Sequence, residues 1–366
     1  MKNTLLTTTA IALTGVAGAA NAVEISAGAL SMNVSGYYTT NIAITSVDTG
    51  ATLAGSDFDG LDIQTNAEIW FKPSLTLDNG IKIGVDVQLE AQSNTNGDQI
   101  DESYLTVSGD FGKFIIGSEN SVGYKMTVAA PDHSLIFANS SSLTAFVPYS
   151  SGTAGADLFR GTLGSTYIEN GRNNDASRIS YFSPRFSGLQ LGVSYARDAG
   201  QTNGAVNNNA VTTDFVDIAA NYSGSFSGVD LNASARYGTA SAPAGTDPEV
   251  WGFGLSIGTN GFTFGGSYAE QDGTAAQDGR AFDVGIGYAS GPMSYSLTYF
   301  DGENIDNEGA PGAKESLETI MLAAKYKVAS NFSVGAWIAN TKFEEAATPA
   351  DNVEGTVLGV GASFSF

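Results

Sequence analysis

Residues 356–366 alternate with a period of two. Thr356, Leu358, Val360, Ala362, Phe364 and Phe366 form one parity; Val357, Gly359, Gly361, Ser363 and Ser365 form the other. In an extended strand the two parities face opposite sides. One face is apolar and ends in aromatics, and the other is mostly small and polar. The pattern recurs. Ile81, Ile83, Val85, Val87 and Leu89 oppose Lys82, Gly84, Asp86, Gln88 and Glu90, and the stretches 189–195, 229–237, 251–257 and 320–328 read the same way. Repetition on this scale predicts strands with lipid on one side and water on the other. A soluble sandwich or solenoid also alternates, but its turns do not sort into one short set and one long set.

Here the turns do sort. Tight connections rich in Gly, Asn and Asp fall at 78–80, 109–112, 184–188, 224–228, 258–261, 290–292 and 329–331. These residues tolerate the positive φ of hairpin turns. Longer polar segments fall near 46–60, 92–99, 119–175, 199–213, 240–248, 271–279, 301–315 and 345–352. Seven short turns and eight long loops separate sixteen strands, the first near Met32 to Thr45 and the last Val353 to Phe366. An open edge would leave amides unpaired in lipid, so first and last strands must meet. The predicted fold is all-β: a sixteen-stranded antiparallel transmembrane β-barrel with both ends on the short-turn side. Aromatics at strand ends, such as Tyr195, Tyr237, Trp251, Tyr288 and Phe364, fit interfacial girdles. Sixteen strands leave an aqueous bore. The inward glycines Gly252, Gly254, Gly285, Gly287, Gly359 and Gly361 do not fill it, so something else must narrow it.

Composition adds boundaries. Residues 1–22 read as a secretory signal: Lys2, an apolar stretch over Leu5 to Ala20, and the A-x-A site Ala20-Asn21-Ala22. The barrel domain is expected to be residues 23–366. No later stretch approaches the ~20 apolar residues of a membrane helix. There is no cysteine, so stability must come from core and hydrogen-bond ladder. The formal charge is −22, and no nucleic-acid partner is expected, since phosphate binding needs clustered Lys and Arg. One histidine, His133, and no cysteine offer no ordinary zinc site, and nothing in sequence places a nucleophile beside His133, so no catalysis and no cofactor are expected.

Residues 119–175 are the longest loop and carry Phe137, Phe146, Val147, Tyr149, Leu158, Phe159 and Leu163. A water-exposed tip would not hold that much apolar surface. The segment is expected to fold into the lumen as a constriction, the alternative being a cap over the mouth. Its acids Asp132, Asp157 and Glu169 would then face basic wall residues, for which parity offers Lys72, Lys82, Arg178 and Arg236, with Lys325 and Lys327 as further candidates. Outer-loop carboxylates Asp301, Glu303, Asp306 and Glu308 form a candidate surface Ca²⁺ site, weighed against plain solvated charge.

Two blocks flank that loop: Glu102-Ser103-Tyr104-Leu105-Thr106-Val107-Ser108-Gly109-Asp110-Phe111-Gly112 with Ile115-Ile116-Gly117 before it, and Ser177-Arg178-Ile179-Ser180-Tyr181-Phe182-Ser183-Pro184 with Phe186 to Tyr195 after it. With the terminal Phe366 they make the chain resemble the general diffusion porins of Gram-negative outer membranes, closest to the alphaproteobacterial type. The resemblance covers nearly all of residues 23–366. It implies a homotrimer in the outer membrane beside lipopolysaccharide, a third loop folded into the pore, wall charge at Arg178, and Phe366 as part of the signal read by the barrel-assembly machinery. The enterobacterial Pro-Glu-Phe-Gly-Gly loop core is absent. The expected function is passive diffusion of small hydrophilic solutes and ions, with a mild cation preference from the acidic loops. A substrate-selective channel for sugar or another small solute is the alternative, although Trp70, Tyr149 and Trp337 form no visible aromatic ladder and a phosphate channel would want more Arg and Lys than this lumen offers; a barrel enzyme or adhesin is a more distant one.

Overall fold

The computed structural model describes residues 23–27, 30–92, 99–149, 158–169, 173–201, 204–273, 278–305, 314–346 and 349–366. The expected leader, residues 1–22, lies outside them. The described strands are β1 (Val23–Ala27), β2 (Leu30–Thr49), β3 (Gly60–Thr76), β4 (Lys82–Glu90), β5 (Ile100–Gly109), β6 (Gly112–Ser118), β7 (Ser177–Phe182), β8 (Leu189–Ala196), β9 (Thr213–Phe226), β10 (Val229–Ser241), β11 (Glu249–Thr259), β12 (Phe262–Asp272), β13 (Gly279–Ser290), β14 (Met293–Ile305), β15 (Lys314–Ala329), β16 (Phe332–Glu345) and β17 (Val353–Ser365), with a short helix α1 (Val122–Met126) between β6 and β7.

Strands β2 to β17 pair in chain order, all antiparallel, and β17 closes on β2 from Val353↔Thr49 to Ser365↔Tyr37. The result is a closed sixteen-stranded barrel. All seven tight turns predicted from sequence join adjacent strands. Three of them, Ser187-Gly188 (φ 48° and 93°), Ser227-Gly228 (φ 50° and 82°) and Asn260-Gly261 (φ 50° and 83°), have both central residues in the left-handed region, the geometry that matches strand twist in a two-residue hairpin.

One feature was not read from sequence. Strand β2 starts at Leu30 and so extends past the end of β17, where Gly36 and Phe366 exchange backbone hydrogen bonds of 3.0 and 3.1 Å. Strand β1 pairs with this remaining edge from Val23↔Val34 to Ala27↔Leu30. An unpaired edge at membrane depth would carry unsatisfied amides, and β1 covers it.

The two faces differ as their parities require. Leu358 and Val360 are 55% and 54% exposed, whereas Val357 between β16 and β2 is fully buried. Outward apolar residues of this kind run around the whole barrel, from Ile44 on β2 through Leu191, Phe253 and Leu322. At the short-turn end the rings of Phe262 and Tyr288 lie 4.6 Å apart; at the other end Trp251 and Tyr268 lie 5.2 Å apart. These are the two girdles.

The polar face is where segment 119–176 lies. The Val122 N–H donates to Ser194 Oγ of β8 (3.3 Å), Val128 N–H to Ser234 Oγ of β10 (2.8 Å), Ala130 N–H to Asp283 Oδ2 of β13 (3.1 Å) and His133 N–H to Ser296 Oγ of β14 (2.8 Å). Asn41 Nδ2 of β2 donates to the Leu135 carbonyl at 3.4 Å. Irregular backbone at membrane depth needs partners from protein, and wall side chains supply them here. Apolar packing adds to this: Phe146 meets Trp337 at 5.7 Å between ring centres, and Leu143, Val147, Leu158 and Leu163 are buried with Phe300, Met321, Phe343 and Val357.

The inward glycines gain a meaning from this path. A Cβ on Gly254 would fall on the Val128 carbonyl, one on Gly285 would sit 3.2 Å from Ala130 Cβ, and one on Gly361 3.1 Å from Leu135 Cδ1. They form a groove in which the segment is seated.

Two outcomes follow for stability. Leu322→Arg, in the middle of β15's outer face, should cost about 2–4 kcal/mol of barrel stability, measured by denaturant titration in detergent or lipid. Gly254→Ala should lift the segment while the barrel stays closed: trypsin should then cut at Lys125 in protein that keeps its heat-modifiable gel mobility. The control Gly258→Ala, whose added Cβ meets nothing nearer than 3.5 Å, should stay resistant. Equal resistance of both variants would remove the groove interpretation.

Candidate functional site

Coverage of the inner face is uneven. On β8 to β17 mid-wall inward residues are buried beneath the segment: Asp217, Ser267, Asp283, Thr298, Met321 and Val357 are each at most 6% exposed. On β3 to β6 many stay accessible: helix α1 touches β7, β8, β9 and β10 and clusters with Ile115 of β6, with Tyr104 of β5 at its margin, but leaves Lys72, Lys82 and Lys113 accessible. The open path therefore runs between the β3–β6 wall and the root of the segment.

The antiparallel register orders that wall into rows. Nearest the short turns, Lys82 faces Ser108, which faces Lys113 on its other side. The next row holds Ser31, Ser74, Gly84 and Thr106. Above it Asn33 faces Lys72, and Asp86 faces Tyr104. Trp70 and Gln88 follow, then Tyr37, Glu68 and Glu90 toward the long loops. Charge thus changes sign along the bore, from lysine at the short-turn end to carboxylate at the other.

The acids are tied down. Asp86 Oδ2 accepts from Lys72 Nζ at 2.9 Å and from the Tyr104 hydroxyl at 3.1 Å. Glu68 accepts from Tyr37 (2.7 Å) and from the Trp70 indole N–H (2.6 Å). Carboxylate oxygens of Glu68, Glu90 and Asp101 lie within 4.8 Å of one another. At the segment's root Glu119 pairs with Lys125 Nζ of α1 at 2.8 Å. Burial raises the Glu119 carboxyl, but Lys125 and the hydrogen bonds around it win and hold it below the usual glutamate range. Side-chain exposure separates the partners: 1% for Glu119 against 24% for Lys125, and 11% for Asp86 against 36% for Lys72. Lys82 and Lys113 are exposed and have no carboxylate ion partner among the described residues.

The sequence candidates fall into three places. Lys72 and Lys82 line the open wall. Arg178 and Arg236 are buried behind α1: Arg236 Nη2 lies 3.7 Å from Asp217, with Gly123 of α1 laid against its guanidinium, and Arg178 donates to the Asn173 carbonyl. Glu169, fully buried, accepts from the Ser121 N–H at 3.0 Å and lies in Coulombic reach of Arg236 and Arg160. Asp132 turns back on its own loop, accepting from the N–H groups of Ser134 (2.8 Å) and Ala138 (2.9 Å), with Lys325 as its nearest named cation. Neither acid is brought against Lys72 or Lys82. Asp157, Asp306 and Glu308 lie outside the described residues. Glu303 is held between Lys314 and Arg280, and Asp301 is approached by the Tyr299 hydroxyl at 3.5 Å. Of the aromatics, Trp70 faces the open wall under Lys72 (4.5 Å), whereas Trp337 and Tyr149 pack against the segment and wall. His133 lies beside Gly287 and Pro131, and its ring has Lys325 as its charged neighbour.

Sequence reasoning missed Asp86, Tyr104, Lys113, Glu119 and Lys125. The first three were signalled by parity, since Asp86 and Lys82 share a face of β4 and Lys113 opens β6 beside a tight turn. Glu119 and Lys125 carry no such signal, because no period applies to the segment's root.

Comparison with known proteins places this geometry. A family model described as Gram-negative porin matches residues 7–346. No curated protein matches the chain. The anion-selective porin from Comamonas acidovorans shares 17% identity and a TM-score of 0.59 over 92% of this chain and 100% of that one. Salmonella typhi OmpF, solved with daunomycin, shares 17% identity and a TM-score of 0.61 over 94% of this chain and 100% of that one. In-vitro folded OmpT of Vibrio cholerae, in its trimer form, shares 16% identity and a TM-score of 0.57 over 92% of this chain and 100% of that one. At such identities these structures share the fold. The chain belongs to the Gram-negative porin family, an outer-membrane β-barrel.

Proposed function

We propose that the protein is a passive diffusion channel for small hydrophilic solutes and ions, mildly cation-preferring, and works as a homotrimer. The observation that carries the reading is the uncovered β3–β6 wall beside a lumen otherwise occupied by the segment. Such a bore sorts solutes by width, and its charges bias ions without excluding any. Two unit charges ~5 Å apart in a water-like dielectric interact by roughly 0.8 kcal/mol, about fourfold in population. The cation preference is supported by the formal charge of −22 and the acids toward the long loops, Asp57, Asp59, Asp62, Glu68, Glu90 and Asp101. The trimer is supported by the family resemblance and by the trimeric form of the Vibrio cholerae neighbour. Surface Ca²⁺ at Asp301 and Glu303 is the weaker reading, since Lys314 and Arg280 already occupy Glu303. Catalysis is not part of this proposal.

Purified protein in a planar bilayer under a KCl gradient should give a reversal potential of the sign for K⁺ preference; preference for chloride at neutral pH would overturn it. Deleting residues 128–169 should raise single-channel conductance several-fold.

The segment should also loosen in acid. His133 holds its pKa down at about 4 instead of 6.5, first through burial and then through Lys325. Charging it is disfavoured in the docked state, so its contribution is intact above about pH 6.5 and is lost as the pH falls toward 4. Amide hydrogen exchange across 128–138, corrected for its intrinsic pH dependence, should rise across that window, and His133→Asn should flatten the rise. An unchanged profile would remove His133 as the cause; Asp132, whose carboxyl is raised by burial, acts in the opposite sense and would tighten docking in acid.

A further inference from the structure

We propose that the short-turn end of the bore carries a binding site for small oxyanionic solutes, centred on Lys82 and Lys113. The proposal rests on the channel reading and assigns a solute class to part of it. The wall there opens into a hollow of about 440 Å³ lined by Asn33, Lys72, Ser74, Lys82, Asp86 and Thr106, with Lys113 standing beyond its rim. Lys82 and Lys113 flank Ser108 in one row of the sheet, so their stems are rooted roughly 10 Å apart. Two extended lysines at that spacing can reach one anion between them. The Asn33 amide lies two rows above as a neutral donor, while the hydroxyls of Ser31 and Thr106 in the row between are turned to the Ser74 and Gly84 carbonyls. An amide donor with two lysines suits an oxyanion: each ammonium supplies three N–H groups and no acceptor.

Charge balance points the same way. Asp86, the acid of this wall, is already engaged by Lys72 and Tyr104. Asp78 and Asp110 sit on the adjoining turns, and neither makes an ion pair with Lys82 or Lys113 among the described residues. Lys113 has Lys125 and Lys72 in Coulombic reach, set against the carboxylates of Glu119 and Asp86, each of which already holds one of those lysines. A chain with net charge −22 thus exposes two lysines in one row at the short-turn end of this wall, while Glu68 and Glu90 stand at its long-loop end. An anion attracted there would be retained by contact and released into the short-turn side.

The test uses the purified full-length channel in a planar bilayer bathed in KCl at neutral pH. Inorganic phosphate, malonate or glucose is added on the short-turn side, and open-channel current is recorded. Phosphate or malonate should reduce the current with a saturable half-block concentration; both acting marks a general oxyanion site, and one acting alone identifies phosphate or carboxylate as the class held. Glucose should not. Each lysine contact is worth about fivefold in a water-like dielectric, so Lys82→Gln with Lys113→Gln should raise the half-block concentration at least tenfold. Lys82→Arg with Lys113→Arg should keep the block, and Lys325→Gln with Lys327→Gln, on the opposite wall, should leave it unchanged. The glutamine pair should also increase K⁺ preference. Absence of block by either anion in the native channel, or equal block by glucose, overturns the proposal while leaving the channel reading intact. Absence of any current would instead defeat the channel reading.

Discussion

Lipid offers no hydrogen-bond partner, so each backbone N–H and C=O within it must be met by protein. That constraint dictates the closed ladder from β2 round to β17, the extension by β1 along the edge that β17 leaves bare, and the exchange of bonds between Gly36 and Phe366 at the seam. It also governs the segment. Once 119–176 lies against the wall at membrane depth, its irregular backbone needs side-chain partners, and Ser194, Ser234, Asp283, Ser296 and Asn41 provide them. Polar inner residues are thus structural before they are functional. Ser194, Ser234 and Ser296 serve the segment as backbone surrogates.

Electrostatics is layered on this frame. Where the segment covers the wall, charges are paired and sealed: Arg236 with Asp217, Glu169 on the Ser121 N–H. Where the wall is open, carboxylates stay low and shielded while lysine ammoniums extend into water, as the contrast between Asp86 and Lys72 shows. Lysine reaches farther than aspartate from the same backbone level. A lumen with matched numbers of acids and bases can therefore present a basic surface to a passing solute. Counting charges in the sequence does not reveal this, because exposure differs between the partners.

The fold was largely legible from the chain. Period-two alternation fixed which face of β17 meets lipid, and the Asn-Gly and Ser-Gly dipeptides marked the turns at Asn260 and Ser227. Lys72 and Lys82 were placed on the inner wall by parity alone. Strand β1 escaped because it is a patch on an edge whose length only the pairing register reveals. The segment was legible in outline, through apolar residues such as Phe146 and Leu163 that needed cover. Its internal contacts were not. Asp132 caps nearby N–H groups within its own loop, and Arg178 and Arg236 lie buried beneath the segment; neither fact leaves a trace in spacing, since both depend on the path of an aperiodic chain across the wall.

The inward glycines look like absences, small residues where a wide bore needs nothing. Seated against Val128, Ala130 and Leu135, they are instead the imprint of the segment on its container. Plug and socket must then change together over generations. A constriction loop transplanted from another porin would meet a wall cut to a different profile, and only a graft carrying matching positions on β11, β13 and β17 would fit. Diversity in pore width within such barrels is therefore expected to arrive as coordinated sets of replacements spread over distant strands, and loop exchange alone is a poor route to a new bore.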